Sequence, residues 1–435
     1  MNTHTPRPKP AGFSGFFPAL AIFCALAPAF ATARAAAPEP GKSSVIVIKG
    51  VREWPSKNPS DKLPEAGGVE TSTVLRADKE HPESSDGRGW TFHHHPDMAV
   101  WRGRLYVAWS SCVKDEDTWP NRELYSTSAD GRAWSGPLEM FPEGVSVPSR
   151  MYFYRSPDDV MLMFAGTRLN REKISEKKKD GLVARRVMPD HTLGPVHILR
   201  MPEGWAGGKK PGGLPGASLE LYSVSNDKEF VRACEKLLAD PVVLGQQDYG
   251  LMLDREKRMP WANSSEWAIA AGYSKSQASA FGKAMSFYHR KDGAIVGIGK
   301  NRWVTVSTDE GATWSRPVRS TQLVSGTAKV WGQRTADGRY ALVYNPHPKN
   351  RFPLVVVTGD DGVTFRDMRV VNPGDQPQRY EGENKNTGAQ YVRGIAEWAT
   401  DGSFAGEKNN LWLAYSINKE DIVVSRVPLP ARAEK

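Results

Sequence analysis

The hydrophobic positions of this chain fall into short runs, each about as long as a typical β-strand. From residue 44 onward these runs are rich in aromatic and β-branched residues, and Gly, Pro, Asn and Asp separate them. One segment, near Asn226–Ala239, has helical spacing instead and is preceded by Ser225 as a candidate cap. Its apolar residues at that spacing are Phe230, Ala233, Cys234 and Leu237. The pattern predicts an all-β chain with one short inserted helix.

A short motif recurs along the chain. In "VSTDEGATWSRPV" the residues Ser, Asp, Gly, Thr and Trp stand at offsets 0, 2, 4, 6 and 7, beginning at Ser307. The segment "VVTGDDGVTFRDM" repeats this order from Thr358, with Asp360 at the aspartate position. A weaker copy, "YSTSADGRAWSGP", aligned on Trp134 has Ala129 at that position, and "YSVSNDKEFV" is weaker still. The chain therefore carries two good copies and two decayed ones.

Each copy has the chemistry of a tight turn between two strands. The carboxylate can accept backbone N–H groups, the glycine can take a positive φ, and the aromatic residue can pack into the sheet. The motif resembles the Asp-box (BNR) repeat of sialidase-like β-propellers, in which these boxes are structural elements on the outside of the blades. We therefore assign no catalytic role to Asp309 or Asp360.

The resemblance implies a single β-propeller of four-stranded blades. At roughly 50–60 residues per blade, roughly 400 residues favour seven blades, with six as the alternative. We expect the ring to close by pairing the N-terminal segment "SSVIVIKG" with the C-terminal blade.

The first 35 residues have the pattern of a secretory signal peptide. A charged region with Arg7 and Lys9 precedes the apolar segment "FFPALAIFCALAPAFA", and small residues follow, with cleavage expected after Ala35. The propeller domain is then expected to span residues 36–435, in the periplasm or outside the cell. No second segment is apolar enough to cross a membrane.

Removing the signal lowers the formal net charge from +9 to +6, because Arg7, Lys9 and Arg34 leave with it. A moderately basic exported protein fits an acidic glycan partner, and ordinary surface charge explains the value equally well. Nucleic acid is a poor fit to an exported chain. Cys112 and Cys234 are left as a candidate disulfide or as two buried thiols, and they support no zinc site. Nothing in the sequence indicates the oligomeric state.

The segment "TFHHHPDMAV" places three histidines before an apolar strand. If the strand is regular, His93 and His95 point one way and His94 the other, so the three cannot all bind one metal ion. A two-histidine metal site with a distant third ligand is the less favoured alternative. Packing and acid–base chemistry are both open for these residues.

Other polar residues stand at the ends of predicted strands. They are Arg150, Tyr249, Gln333, Arg334, His347, Arg351, Arg393 and Lys419. For each residue alone, a salt bridge or a loop hydrogen bond is the better interpretation. Several arginines together would suit a carboxylate, which guanidinium binds bidentately.

A closer resemblance rests on "HHP" before the first blade, an acidic "ED…R" loop followed by "STS.D…WS", "GQ…DGRYALVYNP", and a C-terminal "YVRGI…LW..YS.NKEDI.VSR.P". These segments resemble Asp-box propellers that cleave α-L-rhamnose from glucuronic acid by hydrolysis or lyase chemistry. The resemblance implies that His94 or His95 is the key histidine. Arg334 or Arg393 is then a candidate for holding the carboxylate, and His347 or Tyr249 for the second proton transfer. We expect no cofactor and no metal.

The sequence therefore favours an exported enzyme that cleaves a terminal glycosidic bond next to an acidic sugar, as a lyase or a hydrolase. One alternative is a non-catalytic propeller that binds glycans or proteins. Another is an exo-sialidase, although the Arg-Ile-Pro motif of sialidases has only a near match here, Arg426–Pro428 at the C-terminus.

Overall fold

Short strands, nearly all paired antiparallel, make up most of the regular secondary structure of the computed structural model. It describes residues 46–49, 63–116, 118–143, 145–146, 151–167, 181–201, 219–247, 258, 269, 272–274, 284–325 and 328–429. All of these lie in one compact unit, residues 37–435. The predicted signal peptide, Arg150 and Tyr249 lie outside the described residues.

The strands are β1 (Val47–Ile48), β2 (Glu70–Leu75), β3 (Phe92–Trp101), β4 (Arg104–Cys112), β5 (Asn121–Ser128), β6 (Leu138–Glu139), β7 (Met151–Arg155), β8 (Met161–Thr167), β9 (Gly181–Val187), β10 (His197–Arg200), β11 (Ser286–His289), β12 (Ile295–Ile298), β13 (Trp303–Ser307), β14 (Val318–Arg319), β15 (Trp331–Arg334), β16 (Tyr340–Tyr344), β17 (Leu354–Gly359), β18 (Thr364–Asn372), β19 (Ala389–Arg393), β20 (Asn410–Ile417) and β21 (Asp421–Pro428). The helices are α1 (Lys228–Ala239) and α2 (Pro241–Gln247), with 3₁₀ segments at Pro82–Ser84, Tyr222–Val224, Lys300–Arg302 and Glu397–Ala399.

These strands form five sheets in the described part of the chain, and each sheet is one propeller blade. Blade 1 is β3–β6, blade 2 is β7–β10, blade 3 is β11–β14, blade 4 is β15–β18 and blade 5 is β19–β21 with β2. The inner strand β3 packs against β7 of blade 2 and against β19 and β20 of blade 5, and β11 packs against β15. The all-β propeller of four-stranded blades is therefore confirmed.

The described residues form five blades, whereas the sequence favoured seven, with six as the alternative. Between β10 and β11 the described residues form α1 and α2 instead of blade strands. Helix α1 packs against blade 2, and α2 packs against β11 of blade 3. The predicted count was too high because it came from dividing the chain length by the length of one blade. That calculation treated the helical insertion as blade residues.

The N-terminal strands join two different blades. Strand β2 pairs antiparallel with β21 and supplies the outermost strand of blade 5. Strand β1, from the segment predicted to close the ring, instead pairs parallel with β18 of blade 4. The prediction that an N-terminal strand pairs with the C-terminal blade was thus correct. The strand that does so is β2, and not the predicted segment "SSVIVIKG".

The predicted helix is present as α1, and all four predicted apolar residues of its inner face are buried. Its cap is Asp227, whose side chain accepts the N–H groups of Glu229 and Phe230, in place of the predicted Ser225. The supposed fourth motif copy is thus a helix start and not an Asp-box. Cys234 on α1 and Cys112 on β4 are buried thiols that are not joined by a disulfide bond. No helix in the described residues has the length and hydrophobicity needed to cross a bilayer.

The Asp-box turns lie between the third and fourth strands of three blades. In blade 3, Asp309 accepts hydrogen bonds from the backbone N–H and the hydroxyl of Thr313, at 2.8 and 2.6 Å. In blade 1 the bonding carboxylate is Asp130, so the box that seemed to lack its aspartate is complete. In blade 4 the carboxylate is Asp361, which accepts two backbone N–H groups, and not the predicted Asp360.

Candidate functional site

The candidate site lies at the face of the propeller where the inner strands begin. Neighbouring strands within a blade run in opposite directions. The first strand of a blade therefore begins at the same face of the propeller at which the second strand ends and the third begins. Side chains from such positions meet at this face: His94, His95, Glu116, Lys300, Lys329, Arg351, Tyr391 and Lys419.

The two histidines His94 and His95 point to the same side because β3 is not regular. Its register with β4 shifts between His94 and Asp97, and His95 has a φ of 56°. This bulge cancels the alternation of side chains. The rings of His94 and His95 lie 4.5 Å apart, whereas His93 bonds to the carbonyl oxygen of Trp90. The expectation that His93 and His95 share a direction was therefore wrong.

Tyr391 lies at the centre of the cluster. Strand β19 also has a register shift, between Gln390 and Arg393, and Tyr391 has a φ of 60°. The Tyr391 ring is 4.2 Å from that of His94 and 4.8 Å from that of His95, and it is 3 % exposed. Both bulges thus bring inner-strand side chains from neighbouring blades into contact.

Three cationic side chains surround the Tyr391 ring. The Nζ atoms of Lys300 and Lys329 lie 4.6 and 4.9 Å from the ring centroid, and the Cζ atom of Arg351 lies 5.1 Å from it. Lys300 also donates a hydrogen bond to the phenolic oxygen. Burial works to raise the pKa of Tyr391, but the positive charges of Lys300 and Arg351 outweigh it and hold that pKa below its usual range. At a given pH a larger fraction of Tyr391 is therefore phenolate than for an ordinary tyrosine, and the phenolate is the form that accepts a proton.

His95 is oriented by a buried ion pair. Its Nε2 lies 2.8 Å from one oxygen of Glu116, and the Nζ of Lys419 donates to the other oxygen at 3.0 Å. Lys419 also donates to the backbone oxygen of Asn384 at 2.6 Å. Although burial acts against ionisation, His95 and Lys419 hold the pKa of Glu116 well below its usual range. Because the ionised carboxylate can only accept, Nε2 of His95 carries the proton and Nδ1 has the lone pair.

Both histidines of the cluster are neutral at physiological pH. Burial lowers the pKa of His95 to about 3, even though Glu116 acts to raise it. Burial also lowers the pKa of His94, and neighbouring positive charges add to that effect. Nδ1 of His94 lies 2.6 Å from Oγ of Ser416. Neither imidazole is therefore a strong base, and Tyr391 is the group in the cluster best suited to accept a proton.

Arg351 is held in place by the loop between β16 and β17. Its guanidinium donates to the side-chain oxygen of Gln390, and Asn345 donates to its backbone carbonyl at 2.9 Å. In the same loop Nδ1 of His347 accepts the N–H groups of Lys349 and Asn350, at 3.0 and 2.7 Å. The structure thus gives His347 a role in shaping the loop that presents Arg351.

A second polar group stands further along the inner strands β3, β15 and β19. Arg393 is 1 % exposed, donates to the backbone oxygen of Met285 and lies over the Trp331 ring. Burial raises the pKa of Asp97 to about 6, although the charge of Arg393 opposes this rise. Gln333 accepts a hydrogen bond from Trp331 Nε1 at 2.7 Å. These side chains are thus on the inner strands that carry or adjoin the cluster.

The structure separates the sequence-predicted residues into three groups. It brings His94, His95, Arg351 and Lys419 together, with Gln333 and Arg393 further along the inner strands. Arg334 is exposed at the other end of β15, opposite Tyr340, so the structure does not bring it to this face. Arg150 and Tyr249 stay predictions, because they lie outside the described residues.

Four residues of the site were not selected from the sequence, namely Tyr391, Glu116, Lys300 and Lys329. Tyr391 stands in "QYVRGIAEW", where charged residues lie among apolar ones, and Glu116 stands in the charged loop "KDED" before β5, so both segments carried a usable signal. Each lysine is a single charge beside a strand and carries no such signal. Within the described residues, no three His, Cys, Asp or Glu side chains are arranged to hold a metal ion.

The comparisons with known proteins agree with this architecture. A family model described as the BT_1020-like, N-terminal beta propeller matches residues 45–249, and one described as a BNR repeat-like domain matches residues 256–403. Among curated protein sequences, none matches the chain.

A solved structure titled "Sialidase" is 30% identical, with a TM-score of 0.72, over 89% of this chain and 35% of that one. The chain thus spans about a third of that protein's length. A mutant Trypanosoma rangeli sialidase displaying trans-sialidase activity is 12% identical, covers 84% of this chain and 60% of its own, and has a TM-score of 0.43. An α-L-arabinofuranosidase from Podospora anserina is 10% identical, with coverages of 85% and 99% and a TM-score of 0.38.

Proposed function

We propose that this chain, a BNR-repeat, sialidase-like β-propeller, is an enzyme that cleaves a glycosidic bond next to an acidic sugar at the site around Tyr391. One observation carries the proposal: a buried tyrosine is in contact with two neutral histidines and is surrounded by three cationic side chains. Structural packing alone does not require so many charged groups in one buried place, because each costs desolvation energy.

The cations define the class of substrate. Lys300, Lys329 and Arg351 come from three different loops and approach the same ring. A sugar carboxylate bound above Tyr391 would face this positive charge, and a guanidinium can hold a carboxylate with two parallel hydrogen bonds. A uronic acid at the cleaved bond fits this site. The resemblance to rhamnosyl-glucuronate-cleaving propellers names the rhamnose–glucuronate bond as the first substrate to test.

The chemistry that the site supports best is β-elimination. The Tyr391 phenolate takes the proton from C5 of the uronate, and the electron pair forms the C4–C5 double bond as the C4–O4 bond breaks. The protonated Tyr391 then returns its proton to O4 of the leaving sugar. The cations stabilise the charge that develops on the carboxylate during proton removal. The lowered pKa of Tyr391 supports its role as the base.

His95 and Glu116 orient this reaction. Glu116 fixes the tautomer of His95, so that Nδ1 can accept a hydrogen bond from the substrate. The His95 ring stands at 90° to the Tyr391 ring and limits how the phenol can turn. His94, also of blade 1, packs on the same phenol and contacts Ser416 of blade 5. We also propose that the signal expected in residues 1–35 exports the enzyme to its glycan.

Hydrolysis is the second candidate, and Asp97 is the observation that favours it. A carboxyl with a pKa of about 6 can act as a general acid near neutral pH. The likeness to a solved sialidase also favours this route. A two-carboxylate mechanism needs a second carboxylate, however, and both oxygens of Glu116 are already held by His95 and Lys419. This makes elimination the better-supported route.

The test combines absorbance near 235 nm, which detects unsaturated uronate, with analysis of the released sugars. The substrates are arabinogalactan, other uronate-bearing glycans and a sialylated oligosaccharide. A rise in absorbance that is lost in Tyr391→Phe establishes elimination. Sugar release without absorbance establishes hydrolysis, and sialic acid release establishes a sialidase. No release from any acidic glycan, with glycan binding retained, would show a binding module and overturn the proposal.

A further inference from the structure

One buried acid beside the site has no part in the chemistry described above. Glu123 on β5 is fully buried, and burial holds the pKa of its carboxyl well above the usual range. One of its oxygens lies 3.4 Å from the hydroxyl of Ser110. The other oxygen is buried and has no hydrogen-bond partner among the described residues. A carboxyl in such a place is a neutral acid and can donate a hydrogen bond.

Glu123, Ser110 and His94 form one row across blade 1. His94 on β3 is paired with Ser110 on β4, and Ser110 is paired with Glu123 on β5. Residues directly opposite each other on neighbouring strands place their side chains on the same face of the sheet. Ser110 therefore stands between the buried acid and a histidine that contacts Tyr391.

The nitrogens of His94 have different surroundings. Nδ1 faces Ser416, whose hydroxyl also points to the backbone oxygen of Gln390 at 3.5 Å. Nε2 is buried and has no partner among the described residues. If Ser416 donates to Gln390, its oxygen accepts the Nδ1 proton of His94, which leaves Nε2 as a lone-pair acceptor. A hydrogen-bond donor on the side of Ser110 would satisfy the lone pair of Nε2.

We propose that Glu123 is a positioning residue that acts through Ser110 to set the tautomer of His94. The carboxyl donates to the hydroxyl of Ser110, and that hydroxyl donates to Nε2 of His94. The proton of His94 then stays on Nδ1, and the ring keeps its orientation against Tyr391. The oxygens of Ser110 and Glu123 lie 3.4 Å apart, at the long end of a hydrogen bond, and we infer that this bond shortens when the substrate binds.

A purely structural role would not explain this acid. A buried carboxyl with an unpaired oxygen costs stability, and an apolar residue of similar size would pack at this position without that cost. The acid also stands in the row of blade 1 that contains His94, a residue of the site. Stability given up beside a functional site is expected where the group serves the chemistry.

The first test is nitrogen-15 NMR of the histidine rings in the full chain, which contains nine histidines. His94→Gln assigns the His94 signals. In the wild type with a bound uronate oligosaccharide, we expect His94 to be protonated on Nδ1 and hydrogen-bonded at Nε2. Glu123→Leu and Ser110→Ala should each shift the Nε2 signal toward that of a nitrogen without a donor. Glu123→Gln should restore it, because an amide also donates.

This inference rests on the proposed function in placing His94 at the site, but the NMR readout does not require catalysis. Ser111→Ala is the matched control, since Ser111 is the neighbour of Ser110 on β4 and is paired with His93. An unchanged His94 signal in a folded Glu123→Leu protein would overturn the inference, and so would equal effects of Leu and Gln. Thermal unfolding checks folding, and Glu123→Leu should unfold at the same temperature or higher.

Activity gives the second readout. Glu123→Leu should lower kcat about tenfold, by analogy with outer-shell partners of metal-bound histidines. It should also change the pH–rate profile and leave KM unaltered, whereas Glu123→Gln should keep most of the activity. If no glycan is cleaved but the NMR result holds, the proposed function fails and this inference stands. If cleavage is found but Glu123→Leu, Glu123→Gln and Ser110→Ala all match the wild type in kcat and in the His94 nitrogen-15 signal, only the inference fails.

Discussion

His95 and Tyr391 both have a positive φ, at 56° and 60°, and their rings meet at 90° with centroids 4.8 Å apart. Each stands in a bulge of an inner strand, in blades 1 and 5. Residues other than glycine rarely hold this backbone conformation, because it costs of order 1–3 kcal/mol. Two such residues in contact indicate that the surrounding loops enforce the arrangement of the site.

Tyr391→Phe should remove the proton acceptor while keeping the ring. We expect kcat to fall by about 10²- to 10⁴-fold with little change in the far-ultraviolet circular dichroism. The matched control is Tyr415→Phe in the same blade, since Tyr415 is buried and bonds to Ser425 away from the cluster. A fully active Tyr391→Phe enzyme would assign the proton transfer to another group.

Arg351 and Arg334 are matched test positions because both were candidates from the sequence and only Arg351 lies at the site. Arg351→Met should raise KM for an acidic glycan by roughly 10-fold or more, since a charge-assisted hydrogen bond contributes about 1.5–3 kcal/mol. Arg334→Met should leave KM unchanged. Steady-state kinetics at low and high salt measures both, and equal effects of the two variants would contradict the site.

Lys300→Met should move the pH dependence of cleavage. Lys300 helps to hold the pKa of Tyr391 below its usual range, so its removal raises that pKa. Activity that requires the phenolate should then rise only at higher pH, with the profile displaced by about one unit or more. Lys291→Met, in the β11–β12 turn, is the control and should leave the profile in place. A displacement toward lower pH would refute the assignment of the phenolate as base.

The buried histidines should make the fold sensitive to acid. Burial lowers the pKa of His93 to about 4 and that of His95 to about 3, and it also lowers that of His94. In the unfolded chain these histidines take up protons below pH about 6.5, whereas in the folded chain they stay neutral until the pH reaches their lowered pKa. Between these two pH values, the free energy of unfolding decreases by about 1.4 kcal/mol for each histidine and each unit by which the pH is lowered. Glu116, whose pKa is also lowered, adds to the loss below pH about 4.3.

Carboxyls whose pKa is raised by burial act in the opposite direction, among them Asp97 and Glu123. The pKa of Asp97 is raised to about 6, so its protonation favours the folded state between pH about 6 and 4 and offsets part of the loss. Urea unfolding from pH 8 to 5 measures the net slope. His93→Gln should reduce that slope, and His81→Gln, at an exposed position, should not. A His93→Gln protein with the same slope as the wild type would disprove the neutral, buried state of His93.

Asp361 and Asp360 test the assignment of the Asp-box in blade 4. Asp361→Ala removes the acceptor of the Val363 and Thr364 N–H groups and should lower the free energy of unfolding by about 1–2 kcal/mol. Asp360→Ala removes an exposed ion pair with Arg366 and should change the free energy of unfolding by less than about 1 kcal/mol. Both should keep the kcat of the wild type because the turn is at the outer edge of the blade. The reverse order of stabilities would restore the alignment made from the sequence.

Local patterns in the sequence predicted the parts of the fold that depend on local contacts. The alternation of apolar runs and turn residues is enough for strands, and the turn around Asp309 forms from bonds within a few residues. The spacing of the repeated motif assigned the Asp-box carboxylate of blade 4 to Asp360, which was wrong. Asp360 and Asp361 both stand at the turn, and only the three-dimensional geometry shows that Asp361 accepts the backbone N–H groups.

The sequence by itself determined an all-β propeller with Asp-box turns, one amphipathic helix, and a histidine pair near the start of blade 1. Only the tertiary structure decided the five blades, the pairing of β2 with β21, and the meeting of His95, Glu116 and Tyr391. The physical reason is that bulges and ring closure depend on contacts between blades that are far apart in the chain. No local periodicity encodes those contacts, so single residues such as Lys300 gain their role only when the ring is closed.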